Sequence, residues 1–86
     1  MPRVSRFFGI SVVMYYNDHS PPHFHVIYSG SEAQIALDTL EVLQGSLPSR
    51  AIELVREWAE MHARELSEDW DLARLGLPLK PIAPLE

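Results

Sequence analysis

The sequence predicts an α+β fold: an antiparallel meander of three to four strands packed on one long helix, then a short helix and an extended C-terminal tail. Three observations carry this. Residues 7–43 are β-branched, aromatic or alternating segments broken by turn residues, as in pleated strands. From residue 48 the apolar residues recur at spacings of three and four, the helical period. Prolines at 78, 81 and 84 then follow the three-residue period of an extended polyproline chain. With 86 residues, the chain is expected to form a single domain over residues 1–86.

The first strand is expected over residues 7–16, FFGISVVMYY, with Phe8, Ile10, Val12, Met14 and Tyr16 on one face. Residues 17–22, NDHSPP, form a turn, because Asn, Asp, Ser and two prolines each interrupt strand pairing. A second strand follows over 23–28, HFHVIY. After the short turn Ser29-Gly30-Ser31, a third covers 32–38, with Ala33, Ile35 and Leu37 inward. Residues 40–43 add a short fourth strand or a connector.

Ser46 is placed to cap the long helix, and Pro48 suits its first turn. Ala51, Val55, Trp58, His62 and Leu66 make one apolar stripe, so the helix is drawn from about 48 to 66. Ser67, Glu68 and Asp69 suit the start of a second helix over about 68–75, which Gly76 and Pro78 end. In the tail, 77–86, Leu79, Ile82 and Leu85 form one apolar edge that either packs along the domain or meets a partner. The expected core is Phe8, Ile10, Val12, Phe24, Val26, Ile35, Leu37, Val55 and Trp58.

Composition narrows function. Hydrophobic residues at 47% and charged residues at 22% match an ordinary globular chain and argue against disorder throughout. The absence of cysteine removes disulfides, thiol catalysis and Cys-based metal sites. A net charge of −5 with no basic block argues against broad nucleic-acid binding, which needs clustered Lys and Arg. The apolar run from Phe7 to Tyr16 is about half the ~20 residues that span a bilayer. It follows Arg3 and Arg6, as in a signal peptide, but ends in Tyr15-Tyr16-Asn17-Asp18-His19 without a small-residue cleavage site. The expectation is a cytoplasmic protein with no membrane association.

Chemistry concentrates in DHSPPHFH, where His19, His23 and His25 fall within seven residues. His23 and His25 are two apart on a strand, so their rings share a face, and His19 can fold back across the turn. Imidazole suits divalent transition metals, which makes His19, His23 and His25, with Asp18, a candidate ligand set. With no Cys or Glu in the segment, the structural reading is preferred: polar residues at a strand edge whose hydrogen bonds orient the turn. A third reading is acid–base chemistry, because histidine titrates near neutral pH. His19, His23, His25 and Asp18 are then the candidate catalytic groups, with Tyr15 or Tyr16 holding a phosphate or stacking on a base. Arg3 or Arg6 would offset the charge. His62 is read as a packed histidine of the helix stripe, and its Arg56-x5-His62 spacing as coincidence. Trp58 and Trp70 are read as core anchors.

SRFFGI at 5–10, MYYNDHSPPHFHVIY at 14–28, LEVLQGSLP at 40–48, EWAEMH, DW and the PLKPIAPLE tail resemble the DUF4160 family of short, stand-alone bacterial proteins. The resemblance covers nearly the whole chain and implies a cytosolic protein encoded beside another small protein. It further implies a toxin–antitoxin pair in which this chain is the toxin. No catalytic residue comes with it. Its weight in Tyr15, Tyr16, Asn17, Asp18, His19, Pro21, Pro22, His23 and His25 makes that corner the expected site. Three readings follow: a toxin-like protein with a His-dependent, RNA-directed activity and a cognate small-protein partner; a non-enzymatic interaction module or homo-oligomer; and a His-based metal-binding protein.

Overall fold

A computed structural model of the chain describes residues 2–16 and 18–86. Asn17, named in the turn and in the motif, lies outside the described residues. The described chain is α+β: one antiparallel sheet of five strands, ordered β1-β2-β3-β4-β5, and two helices. The strands are β1 (Arg3–Phe7), β2 (Ile10–Val13), β3 (His23–Tyr28), β4 (Ser31–Ala36) and β5 (Val42–Gly45). The helices are α1 (Ser49–Met61) and α2 (Ala63–Arg74).

The meander is as expected, but it has five strands rather than three or four. The segment expected as one strand over 7–16 is instead the second half of a hairpin. Phe8 and Gly9 both have positive φ, 50° and 77°, and Phe7 pairs with Ile10. Two central residues of that kind make the tight turn whose twist matches the flanking strands. The chain therefore reverses at Phe8-Gly9, and Arg3–Phe7 becomes a strand. Phe8, expected in the core, sits at the turn and is 60% exposed, whereas Phe7 and Val4 are buried. The same device, Ser29 at 50° and Gly30 at 83°, joins β3 to β4.

The fourth expected strand lies two residues later than drawn, as β5. Gly45 ends it at φ 81°, and a Cβ there would run into the backbone of Glu32, so glycine is required. The two expected helices are present, but their boundary, expected near residue 67, comes earlier, so the long helix is shorter and the second longer than expected. The break falls at His62 (φ −124°, ψ 29°), whose N–H bonds back to Ala59 O at 3.2 Å, tightening the last turn of α1. The His62 Nδ1 bonds Glu65 Oε1 at 2.6 Å, at the start of α2. Ser46 and Ser67 cap nothing: α1 begins after Pro48, and α2 runs through Ser67.

The core lies between one sheet face and α1. Ile10, Val12, Met14, Phe24, Val26 and Ile35 meet Ala51, Val55 and Trp58. Leu37 is only half-buried against it. The Trp58 ring lies 5.3 Å from that of Phe7 and 6.3 Å, edge-on, from that of Phe24. The tail resolves its two alternatives by packing along the domain. Ile82 and Leu85 are buried, Ile82 N donates to Val4 O at 2.8 Å, and Trp58 Nε1 donates to Ala83 O at 2.8 Å.

Candidate metal centre

Strand β3 supplies the site. Alternation sends Phe24 and Val26 into the core, and so puts His23 and His25 on the other face. β3 is the central strand of the sheet, not an edge, so the reading of these histidines as edge residues does not hold. Short β2 and β4 partners fix the register, with His25 opposite Val13 on one side and Gln34 on the other. The segment after β2 folds back over this end of the sheet. The Tyr15 ring meets the His25 ring edge-on at 4.4 Å, and the Asp18 carboxylate reaches both histidines. Beyond the turn, Leu37 N donates to Pro22 O at 3.0 Å.

Three side chains converge. His25 Nε2 lies 2.9 Å from Asp18 Oδ2, and His23 Nε2 lies 3.0 Å from the same oxygen. The ligand atoms of Asp18, His23 and His25 all lie within 4.8 Å of one another. His23 is 1% exposed and His25 is also buried.

The opposite ring nitrogens decide the protonation pattern. His23 Nδ1 is 2.7 Å from Pro21 O, and a carbonyl can only accept, so the hydrogen is on Nδ1. In neutral His23, Nε2 then presents a lone pair toward Asp18. That atom is buried and has no aligned hydrogen bond. His25 lies between two carboxylates, with Nδ1 3.0 Å from Glu32 Oε2 and Nε2 on Asp18. Neutral His25 can satisfy only one of them. A buried polar atom without a partner costs about 1–3 kcal/mol, so the cluster calls for protons or a cation at its centre.

Charge in the cluster is balanced on Asp18. Burial pushes its carboxyl up. The hydrogen bonds from His25 and from the His19 N–H, with the charges of His23 and His25, outweigh burial and hold it below the ordinary carboxylate range. Burial, then the Glu32 and Asp18 charges, pushes the Tyr15 phenol up, so it stays neutral and able to donate.

His19 stands at the rim. Its side chain is 77% exposed, its ring centre is 5.5 Å from that of His23, and its Nε2 is 3.9 Å from Asp18 Oδ1. Of the expected residues, the structure thus joins Asp18, His23 and His25 directly and leaves His19 beside them. Tyr16 is exposed, and among the described residues no ring contact or hydrogen bond ties it to the cluster; Tyr15 is the tyrosine in place. His62 packs on Trp58 at 5.6 Å, and Arg56 Nε donates to Leu40 O at 3.0 Å, so these two form no joint site. Glu32 and Trp70 were missed as site residues. Trp70 lies 5.4 Å from the His23 ring. The alternation of 32–38 had put Glu32 on the polar face, and the two-residue turn sets it diagonally across from His25.

No helix among the described residues is long and apolar enough to cross a membrane. A family model described as a domain of unknown function (DUF4160) matches residues 9–71 of the 86. The chain belongs to this family. The DUF4160 span holds Asp18, His19, His23, His25, Glu32 and Trp70, and leaves β1 and the tail outside. No curated protein and no solved structure matches the chain.

Proposed function

We propose that this DUF4160 protein binds one divalent transition ion, zinc being the first candidate, through Asp18 Oδ2, His23 Nε2 and His25 Nε2. The observation that carries the reading is on the far side of each ring. Metal-bound histidine almost always gives its other N–H to a carbonyl or carboxylate, which fixes its tautomer and its aim. Pro21 O does this for His23 and Glu32 for His25. Two neutral imidazoles and a carboxylate suit zinc. The charge of a divalent ion would offset Asp18 and Glu32 together. The Asp18 oxygen is now 2.9 and 3.0 Å from the two imidazole nitrogens, against roughly 3.4 Å around a tetrahedral ion with bonds of about 2.1 Å, so an ion would widen these two contacts by roughly 0.5 Å.

Protein purified without a His tag should take up zinc stoichiometrically and melt at a higher temperature with zinc than without. His23→Ala with His25→Ala should lose both effects. Substoichiometric metal and no thermal shift with zinc, nickel, copper or manganese would leave two protons as the account of the cluster and end this reading.

The toxin-like, RNA-directed activity and the cognate small-protein partner implied by the family resemblance are proposals that draw on the same centre. What supports a reactive centre is access, since His19 is exposed at its rim. Growth arrest on expression that disappears in the His23→Ala/His25→Ala variant and is relieved by the neighbouring gene is the expected result. Harmless expression of well-folded protein would favour the interaction module.

A further inference from the structure

We infer that His19 is the fourth ligand of this ion, closing the site as three imidazoles and one carboxylate. The inference rests on the metal reading above and adds to it the ligand that ties the exposed turn to the buried strand.

The ring spacings carry it. With a metal–nitrogen bond of about 2.1 Å and a ring centre about 1.1 Å beyond the nitrogen, two imidazoles on one tetrahedral ion have ring centres roughly 5.2 Å apart. The His23 and His25 rings are 5.1 Å apart, and the His19 and His23 rings 5.5 Å. The His19 ring therefore has the spacing of a ligand's ring, although the ligand atoms that lie within 4.8 Å of one another are those of Asp18, His23 and His25, so His19 must turn inward to join them. His19 Nε2 is 3.9 Å from Asp18 Oδ1, the second oxygen of the carboxylate whose Oδ2 meets the two buried rings.

The tautomer agrees. His19 Nδ1 lies 3.3 Å from Ser20 O, which can only accept, and the tautomer that makes this bond carries its hydrogen on Nδ1 and keeps a lone pair on Nε2. This repeats the pattern of His23, whose Nδ1 faces Pro21 O. Successive carbonyls of one turn thus set two rings to present Nε2.

Exposure agrees as well. His23 and His25 are buried, while the His19 side chain is 77% exposed, with no packing among the described residues that bars its turning inward. Four protein ligands make a holding site, and three with a water make a reactive one. His19 decides between them: in place it seals the ion, and released it leaves one position for water.

The test uses the full-length, untagged chain. Zinc affinity is measured by competition with a chromophoric chelator, and coordination by the visible absorption of the cobalt(II) form. Wild type should bind zinc and give the intense bands of a four-coordinate cobalt. His19→Ala should weaken zinc binding by about tenfold or more, since even second-shell losses reach that size. Its melting temperature without metal should match the wild type, because the side chain is exposed. Zinc should also shift the His19 ring nitrogens in long-range nitrogen–proton spectra of the wild type. If His19→Ala binds as tightly and keeps the same cobalt spectrum, the fourth-ligand assignment is wrong and the three-ligand site stands. If wild type binds neither zinc nor cobalt, the metal reading itself fails.

Discussion

His25 bonds Glu32 across the β3–β4 hairpin, Nδ1 to Oε2 at 3.0 Å, seven residues apart in sequence and diagonal in the sheet. Because Nδ1 is engaged there, Nε2 is left for Asp18 at 2.9 Å. Glu32 thus sets which nitrogen of His25 faces the centre, although it touches nothing else in the trio.

The first prediction follows from that bond. Glu32→Gln keeps an oxygen that can accept from Nδ1 but removes the charge that raises the basicity of the ring. Zinc affinity should fall by about tenfold while the fold is unchanged. Glu32→Ala, which also frees the ring to turn, should fall further. Competition titration of the three proteins checks the order; equal affinities would show that His25 is aimed by packing alone.

The second prediction separates two neighbours. Phe7 is buried with its ring 5.3 Å from Trp58, whereas Phe8 is exposed at a turn. Phe7→Ala should cost about 3–5 kcal/mol in chemical denaturation. Phe8→Asn, at a positive φ that Asn tolerates well, should be within about 0.5 kcal/mol of the wild type or slightly stabilising. The opposite order would mean that the 7–16 segment is one strand after all.

These two phenylalanines also show how far the sequence could be read. Alternation over 10–14 gave the inward residues Ile10, Val12 and Met14, because strand period survives any choice of ends. It did not reveal the reversal at Phe8-Gly9, since an apolar residue at a tight turn looks like more strand. The helix stripe was likewise continuous in sequence, and no glycine or proline marks the break at His62. Within the site, His23, His25 and Asp18 were legible from spacing and chemistry. Glu32 needed the hairpin register, and Trp70 needed the path of α2 back to β3. Neither is a local property of the chain.

A third prediction concerns pH. Asp69 is fully buried; its Oδ1 accepts from Lys80 N at 2.8 Å, and its Oδ2 has no partner. Burial pushes its carboxyl above the ordinary range, which the Lys80 N–H only partly opposes. The folded state therefore holds this proton more tightly than the unfolded one. Its contribution to stability is full below the unfolded value of about 3.9 and is lost as pH rises through the higher folded value. Asp69→Asn keeps the Oδ1 acceptor and cannot ionise. Relative to wild type, it should remove that loss, so its advantage should grow from pH 4 toward neutrality. Paired urea melts across that range test it, and a difference independent of pH would show that Asp69 is ionised throughout.

The fourth prediction concerns the tail, which lies outside the family span yet closes the core. Ile82 and Leu85 are buried and each contributes about 1.5–3 kcal/mol by burial alone. Ile82 N on Val4 O also binds the tail to β1, and Ala83 O satisfies the buried indole of Trp58. A domain this small has only about 5–15 kcal/mol in total, so deleting residues 78–86 should leave it marginal or unfolded. Ile82→Ala with Leu85→Ala is the milder form, and it should lower the melting temperature while leaving the Asp18–His23–His25 cluster intact. Tryptophan emission, from the buried Trp58 and Trp70, should shift to the red at lower denaturant in step with the loss of stability. A truncated chain that melts like the wild type would show that the tail rests on the core without supporting it.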